Sequence, residues 1–182
     1  MGPLSRLYRP KAGFSQKMEQ RYIRKIALGG VLAAIILLLT TLISIPLPGG
    51  HGYINLGDAG VLTAAYMLGG AWGAIVAAAA SGLADVLLGW GLYAPATVVI
   101  KGGMALLSAL LFRMLKPQRQ SLAFFLPAPI VPIGYFLYEW ALYGFAAAIV
   151  NVPLNFVQCL AGAAVAQAVA LVVRKSSISR WF

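Results

Sequence analysis

Four stretches of this chain, residues 26–45, 95–112, 122–143 and 154–173, each run for 18 or more residues with at most one Asp, Glu, Lys or Arg. An apolar helix of about 20 residues crosses the ~30 Å hydrocarbon core of a bilayer. Soluble domains carry roughly 25% charged residues; this chain of 182 residues carries 10%, against 61% hydrophobic. Its mean hydropathy is +0.86. With 14 Lys and Arg and 4 Asp and Glu, it lacks the polar side chains to cover a water-soluble surface. The sequence therefore predicts an all-α membrane protein, with the lipid bilayer as its solvent.

Residues 58–88 form a fifth apolar region that is too long for one crossing, since 31 residues would rise about 46 Å at ~1.5 Å each. Gly69, Gly70 and Gly73 lie near its middle, where a tight turn would divide it into two short helices. The basic residues support that division. Thirteen of the fourteen fall in three clusters: Arg6, Arg9, Lys11, Lys17, Arg21, Arg24 and Lys25; Arg113, Lys116 and Arg119; Arg174, Lys175 and Arg180. Lys and Arg are retained on the cytoplasmic side of a polytopic protein. Six transmembrane helices put all three clusters, and both termini, on that side. The loops at 46–57, 89–94 and 144–153, which hold no Lys or Arg, are then external. The expected organisation is a basic cytoplasmic tail over 1–21, a six-helix transmembrane domain over 22–175 and a cytoplasmic tail over 176–182. The formal charge of +10 thus orients the protein and predicts no nucleic-acid partner. The first apolar stretch is long enough to span, and no small-residue cleavage site precedes the loop, so it reads as a helix and not a cleaved leader.

Ionisable groups inside spanning helices are costly and point to function. Here they are Asp58, Asp85, Lys101 and Glu139, all in the outer half of the six-span arrangement. Helical spacing adds Thr97 to Lys101, Ser81 to Asp85, and Tyr135 to Glu139, with Tyr138 and Tyr143 flanking. Asn151, Asn155 and Gln158 make one stripe on the last helix. Such stripes face the bundle interior and together suit a small pocket with donors, acceptors and aromatic walls. Each also has a plainer reading. Asp58 suits a helix N-cap, Asp85 and Lys101 an interhelical ion pair, and the Asn/Gln stripe interhelical hydrogen bonding. Glu139 has no evident basic partner except Lys101, which favours a ligand role. The first outer loop, crowded with Pro46, Pro48, Gly49, Gly50, Gly52 and Gly57, is either a connector or a cap over the pocket; His51 within it reads as incidental. Gly29/Ala33 and Gly30/Ala34 give small-xxx-small spacing on the first helix, which allows close approach of another helix.

Catalytic motifs are missing. There is no Walker A sequence, no H-E-x-x-H and no G-x-S-x-G, and one Cys and one His exclude a Cys-rich or His-rich metal site. Cys159 reads as a small buried apolar residue. Neither catalytic residues, metal nor cofactor is expected. Transport remains, driven by a coupling ion or by an external motor.

Three linked segments carry a family resemblance: Tyr53-Ile54-Asn55-Leu56-Gly57-Asp58, Gly82-Leu83-Ala84-Asp85, and Tyr93-Ala94-Pro95-Ala96-Thr97 with Ile100-Lys101-Gly102. With Asn151-Val152-Pro153-Leu154-Asn155, Gln158 and Gly162, the chain resembles the S components of energy-coupling factor (ECF) transporters over residues 22–173. The similar branch includes riboflavin-, pyridoxine- and hydroxymethylpyrimidine-type members. The resemblance implies a six-helix bundle with an outward-facing site closed by the first outer loop. It implies three partners in the bacterial cytoplasmic membrane: a transmembrane coupling subunit and two cytoplasmic ATPase subunits. The expected contacts to a small water-soluble vitamin are Tyr53, Asn55, Asp85, Tyr93, Thr97, Lys101, Glu139, Tyr143, Asn151 and Asn155. Gly29, Gly30, Ala33 and Ala34 are expected against the coupling subunit. Tyr, Trp, Asn and carboxylates suit a neutral or weakly basic ring such as pyridoxine or hydroxymethylpyrimidine. The alternative is a self-contained proton-coupled transporter using Asp85 or Glu139, although no inverted repeat is evident. A scaffold subunit without substrate would explain the small-residue stripe but not the polar cluster.

Overall fold

The computed structural model describes residues 12–47 and 52–176, with side chains from residue 18 onward. Pro48, Gly49, Gly50 and His51, the tail residues Arg6, Arg9 and Lys11, and Arg180 lie outside the described residues, as does the side chain of Lys17.

Helix α1 (Ala12–Leu42) leads into a short antiparallel hairpin of β1 (Ser44–Pro46) and β2 (Tyr53–Asn55). Then follow α2 (Gly57–Leu68), α3 (Gly70–Leu87), α4 (Ala94–Met114), α5 (Leu122–Phe125), α6 (Ile130–Tyr143) and α7 (Phe145–Lys175). The long 58–88 region does break where its glycines allow, at Gly69 with φ +65°. Among the described residues five segments are long and apolar enough to cross a membrane, with α5 and α6 together forming one of them. Helix α2 is not one of the five: its 12 residues rise only about 18 Å. It is instead the central helix, buried along nearly its whole length and in contact with α1, α3, α4 and α7.

Two boundaries depart from the sequence expectation. Residues 12–21, expected in the tail, are the opening turns of α1. The loop expected over 144–153 shrinks to Gly144, and α7 begins at Phe145 with Pro153 inside it. A proline ring displaces the i−4 carbonyl and removes one amide, which reads as a helix start in the sequence. In a membrane helix the neighbouring helices make good that loss, and α6 packs along α7 here.

The bundle is apolar on the outside as well as within. Val31, Ile75, Val99, Leu137, Val157 and Val172 are all more than half exposed, as lipid-facing side chains are. Lipid removes the hydrophobic drive between helices, so close packing through small residues holds them together. Gly162 on α7 is one such position. A Cβ there would lie 2.5 Å from the Asp58 Cβ and 3.1 Å from the Ala59 amide nitrogen. Gly162→Ala is therefore predicted to force α7 away from α2 and to cost about 1–3 kcal/mol. Thermal unfolding in detergent would read this as a lowered midpoint. Gly103→Ala, where nothing lies within 4 Å of the added carbon, should leave the midpoint unchanged; equal midpoints for both variants would refute the close-packing account.

Candidate functional site

At one end of the bundle the β1–β2 hairpin lies over a cavity enclosed by α1, α3, α4, α6 and α7. Strand register pairs Ser44 with Asn55, Ile45 with Ile54 and Pro46 with Tyr53. The Leu47 amide donates to the Gly52 carbonyl at 3.0 Å, closing the ladder. Gly52 sits at φ +90°, where a side chain would be strained and where a Cβ would lie 3.7 Å from Glu139 Oε1. The chain thus brings bare backbone down against the buried carboxylate.

The deepest polar group is Asp58, in the first turn of α2 and fully buried. One carboxylate oxygen pairs with the Lys101 ammonium, and the other accepts from Gln158 Nε2 at 2.9 Å. Gln158 Oε1 in turn accepts the Asn55 amide at 2.8 Å, and Asn55 Oδ1 accepts the Gly57 amide at 2.8 Å. This relay ties the hairpin, α2, α4 and α7 together. It also corrects two readings. Asp58 does not cap α2, whose opening amide is satisfied by Asn55, and Lys101 pairs with Asp58 rather than with Asp85. The physical reason is that α2 lies between α7 and α4, within reach of both polar side chains.

Asp85 has a different partner. Its Oδ1 accepts the Tyr53 hydroxyl from the hairpin at 2.5 Å. Burial, reinforced by that carboxylate, raises the Tyr53 phenol above its ordinary range, so it remains a donor. The other oxygen, Oδ2, is buried and has no hydrogen-bond partner among the described residues. Thr97 on α4 lies beside this carboxyl, but its hydroxyl is engaged at 2.8 Å with that of Tyr135 and is not within hydrogen-bond geometry of Oδ2. Glu139, also buried, accepts from Asn151 Nδ2 at 2.9 Å and lies 3.5 Å from the Tyr93 hydroxyl. A row of rings runs along the wall, in which Tyr53, Tyr93 and Tyr135 line the cavity and Trp90 stands behind them. Trp90 stands 6.1 Å from Tyr53 and 5.8 Å from Tyr93, whose ring is 6.4 Å from Tyr135. The Lys101 ammonium lies 5.5 Å from the Tyr135 centroid, within cation–π range.

Of the residues expected from sequence, Tyr53, Asn55, Asp85, Tyr93, Thr97, Lys101, Glu139 and Asn155 line this cavity. Asn151 stands behind Glu139 as its donor, and Tyr143 lies beside Tyr93 without lining the space. Residues outside that expected set also line it: Thr40, Leu47, Gly52, Gly57, Ser81 and Tyr135. Ser81 and Tyr135 were legible by helical spacing from Asp85 and Glu139. Thr40, which bonds its own helix at the Ile36 carbonyl, gives no sequence signal. The free volume is only about 20 Å³, room for a water or two. A larger space of about 310 Å³ between α6 and α7 is lined by Pro129, Ile133, Phe136 and other apolar side chains only, and has no polar group to orient a solute.

The first-helix stripe divides. Gly29 is buried, its position facing Val76 and Leu68 of this same chain, and Ala33 packs on the core. Gly30 and Ala34 are exposed, and nothing lies within 4 Å of a Cβ at Gly30.

The sequence matches the family model described as the ECF-type riboflavin transporter S component over residues 20–175. The chain belongs to this S-component family. This S component is also similar to the thiamine precursor transporter HmpT of Lactococcus lactis subsp. cremoris (strain MG1363). The two are 28% identical over 166 residues, covering 91% of this chain and 96% of that one. An uncharacterized protein in the gap 3' region of Pyrococcus woesei is 28% identical over 137 residues, 75% of this chain and 92% of the relative. The S component is thus a multi-pass membrane protein for uptake of a vitamin or vitamin precursor, and a transport subunit rather than an enzyme.

Proposed function

We propose that this S component captures a small hydroxylated aromatic heterocycle, hydroxymethylpyrimidine or pyridoxine, beneath the hairpin at the outer face of the cytoplasmic membrane. It then delivers the solute through a complex with a transmembrane coupling subunit and two ATPase subunits. The observation that carries this reading is the buried Asp85 Oδ2, left without a donor in a cavity walled by Tyr93, Tyr135 and Thr97. A buried carboxylate oxygen without a donor is expensive, and a ring N–H or hydroxyl from a ligand would satisfy it. The likeness to a thiamine precursor transporter favours the pyrimidine. Three carboxylates, Asp58, Asp85 and Glu139, face a single ammonium, Lys101, a balance that suits a weakly basic ring.

The hairpin must lift to admit such a ligand, because the closed cavity holds no ring. Tyr53 and Asn55 are the latches, one on Asp85 and one on Gln158. With α2 as a short sixth traverse, both termini and the 113–121 segment lie on the cytoplasmic side and the hairpin outside. The exposed pair Gly30 and Ala34 forms the surface for the coupling subunit. Replacing both by Leu should reduce co-purification of that subunit several-fold while solute affinity is kept, whereas Gly29→Leu should reduce folded protein instead. Unchanged co-purification would remove the stripe from the interface.

Uptake of labelled hydroxymethylpyrimidine by cells producing this chain, with and without the coupling and ATPase subunits, tests the mechanism. The expected result is uptake only with all partners present. Uptake by the chain alone, abolished by a protonophore, would instead establish a proton-coupled carrier.

A further inference from the structure

Opposite the hairpin, the bundle ends in a cleft of about 230 Å³ lined by Met18, Arg21, Tyr22 and Lys25 of α1 and Trp72 of α3. Arg21 and Lys25 are one turn apart, and continuing at helical spacing from them come Gly29, Leu32 and Ile36, all buried. The two cations therefore lie on the face of α1 that packs against the bundle, not on its lipid side. Below the end of the bundle that face looks onto the start of α3. A first helical turn has amides without intrahelical acceptors and a positive dipole end. Among the described residues neither Arg21 nor Lys25 has a carboxylate partner, and Glu19, the acid nearest in sequence, does not line the cleft.

We propose that this cleft binds the phosphate of an anionic phospholipid headgroup. Two cations one helical turn apart, lining one cleft beside the start of α3, complement a phosphate. Trp72 and Tyr22 are half-exposed aromatic residues of the kind that sit at headgroup level. Met18 and the Trp72 ring supply apolar contact for the glycerol and upper acyl carbons, which a free phosphate would not use. Arg113 and Lys175 lie in the last turns of α4 and α7, and Lys116 and Arg119 follow α4, all at the same end, where an anionic leaflet would lie. Arg174 is already engaged, donating to Tyr66 and Gln120. A headgroup in the cleft would pin the first turns of α1 to α3, on the helix that also carries the exposed Gly30.

The test is native mass spectrometry of the full chain in detergent with phosphatidylglycerol or phosphatidylcholine added. Phosphatidylglycerol should be retained preferentially, with its apparent affinity reduced roughly 10- to 30-fold in Arg21→Gln/Lys25→Gln. The paired variant Lys116→Gln/Arg119→Gln should keep wild-type occupancy. Equal retention of the two lipids, or an equal loss in both paired variants, would overturn the proposal in favour of general surface charge. Displacement of phosphatidylglycerol by millimolar inorganic phosphate would also overturn it, making the cleft a site for a free anion.

Discussion

The expected result for Lys101→Met is a loss of about 3–5 kcal/mol of stability, the range for removing one partner of a buried ion pair. It should appear as a much lower unfolding midpoint in detergent and a reduced yield of folded protein. Lys101 and Asp58 are both almost wholly inaccessible, at 4% and 0% side-chain exposure. Without the ammonium, the Asp58 carboxylate keeps only the Gln158 amide as donor, and it must either hold an uncompensated charge in a low-dielectric interior or take up a proton. The effect should spread, because Gln158 also holds the Asn55 amide and hence the hairpin. The double variant Asp58→Asn/Lys101→Met should recover most of the loss, since it removes both charges together. A Lys101→Met protein as stable as wild type would show that the pair does not organise the bundle.

Asp85→Ala is the second large effect, and it is expected in binding rather than folding. Oδ1 of Asp85 accepts from Tyr53 and its buried Oδ2 has no partner among the described residues, so in the function proposed above Oδ2 would accept from the ligand. Losing a charged hydrogen bond of about 2–3 kcal/mol weakens affinity roughly 30- to 150-fold. Tyr53→Phe removes only the latch, so its effect should be smaller and should fall mainly on the rate of ligand release. Titration of the purified chain checks both, with thermal unfolding to confirm that each variant is folded. An unchanged affinity in Asp85→Ala would move the ligand away from this carboxylate.

How far these features are legible in the sequence depends on which physical signal encodes them. The break at Gly69 is legible because bilayer thickness is a ruler, and 31 apolar residues exceed it. The polar set around Asp85, Lys101 and Glu139 is legible because lipid makes such residues costly wherever they lack a reason. Their pairing is not. Asp58 and Lys101 are 43 positions apart, and only the packing of α2 between α4 and α7 decides that Lys101 meets Asp58 instead of Asp85. The faces of α1 are equally hidden. In a helix apolar all round, periodicity does not separate Gly29, which faces the bundle, from Gly30, which faces away. Pro153 misleads for a related reason: the sequence reads it as a helix start, while α6 alongside allows α7 to run through it. The hairpin was legible only as a turn-rich loop, since strands of three residues leave no alternating pattern to detect.

The central claim is that this chain alone binds a small aromatic heterocycle under its hairpin. Its most direct test is titration of the detergent-purified chain, without ATPases, with hydroxymethylpyrimidine, pyridoxine and riboflavin. Native mass spectrometry would identify any ligand carried through purification, and Trp90, beside Tyr53 and Tyr93, provides a fluorescence signal. The account predicts saturable one-to-one binding of hydroxymethylpyrimidine or pyridoxine, lost or strongly weakened in Asp85→Ala. Binding of none of the three, or binding of one that is indifferent to Asp85, would contradict it.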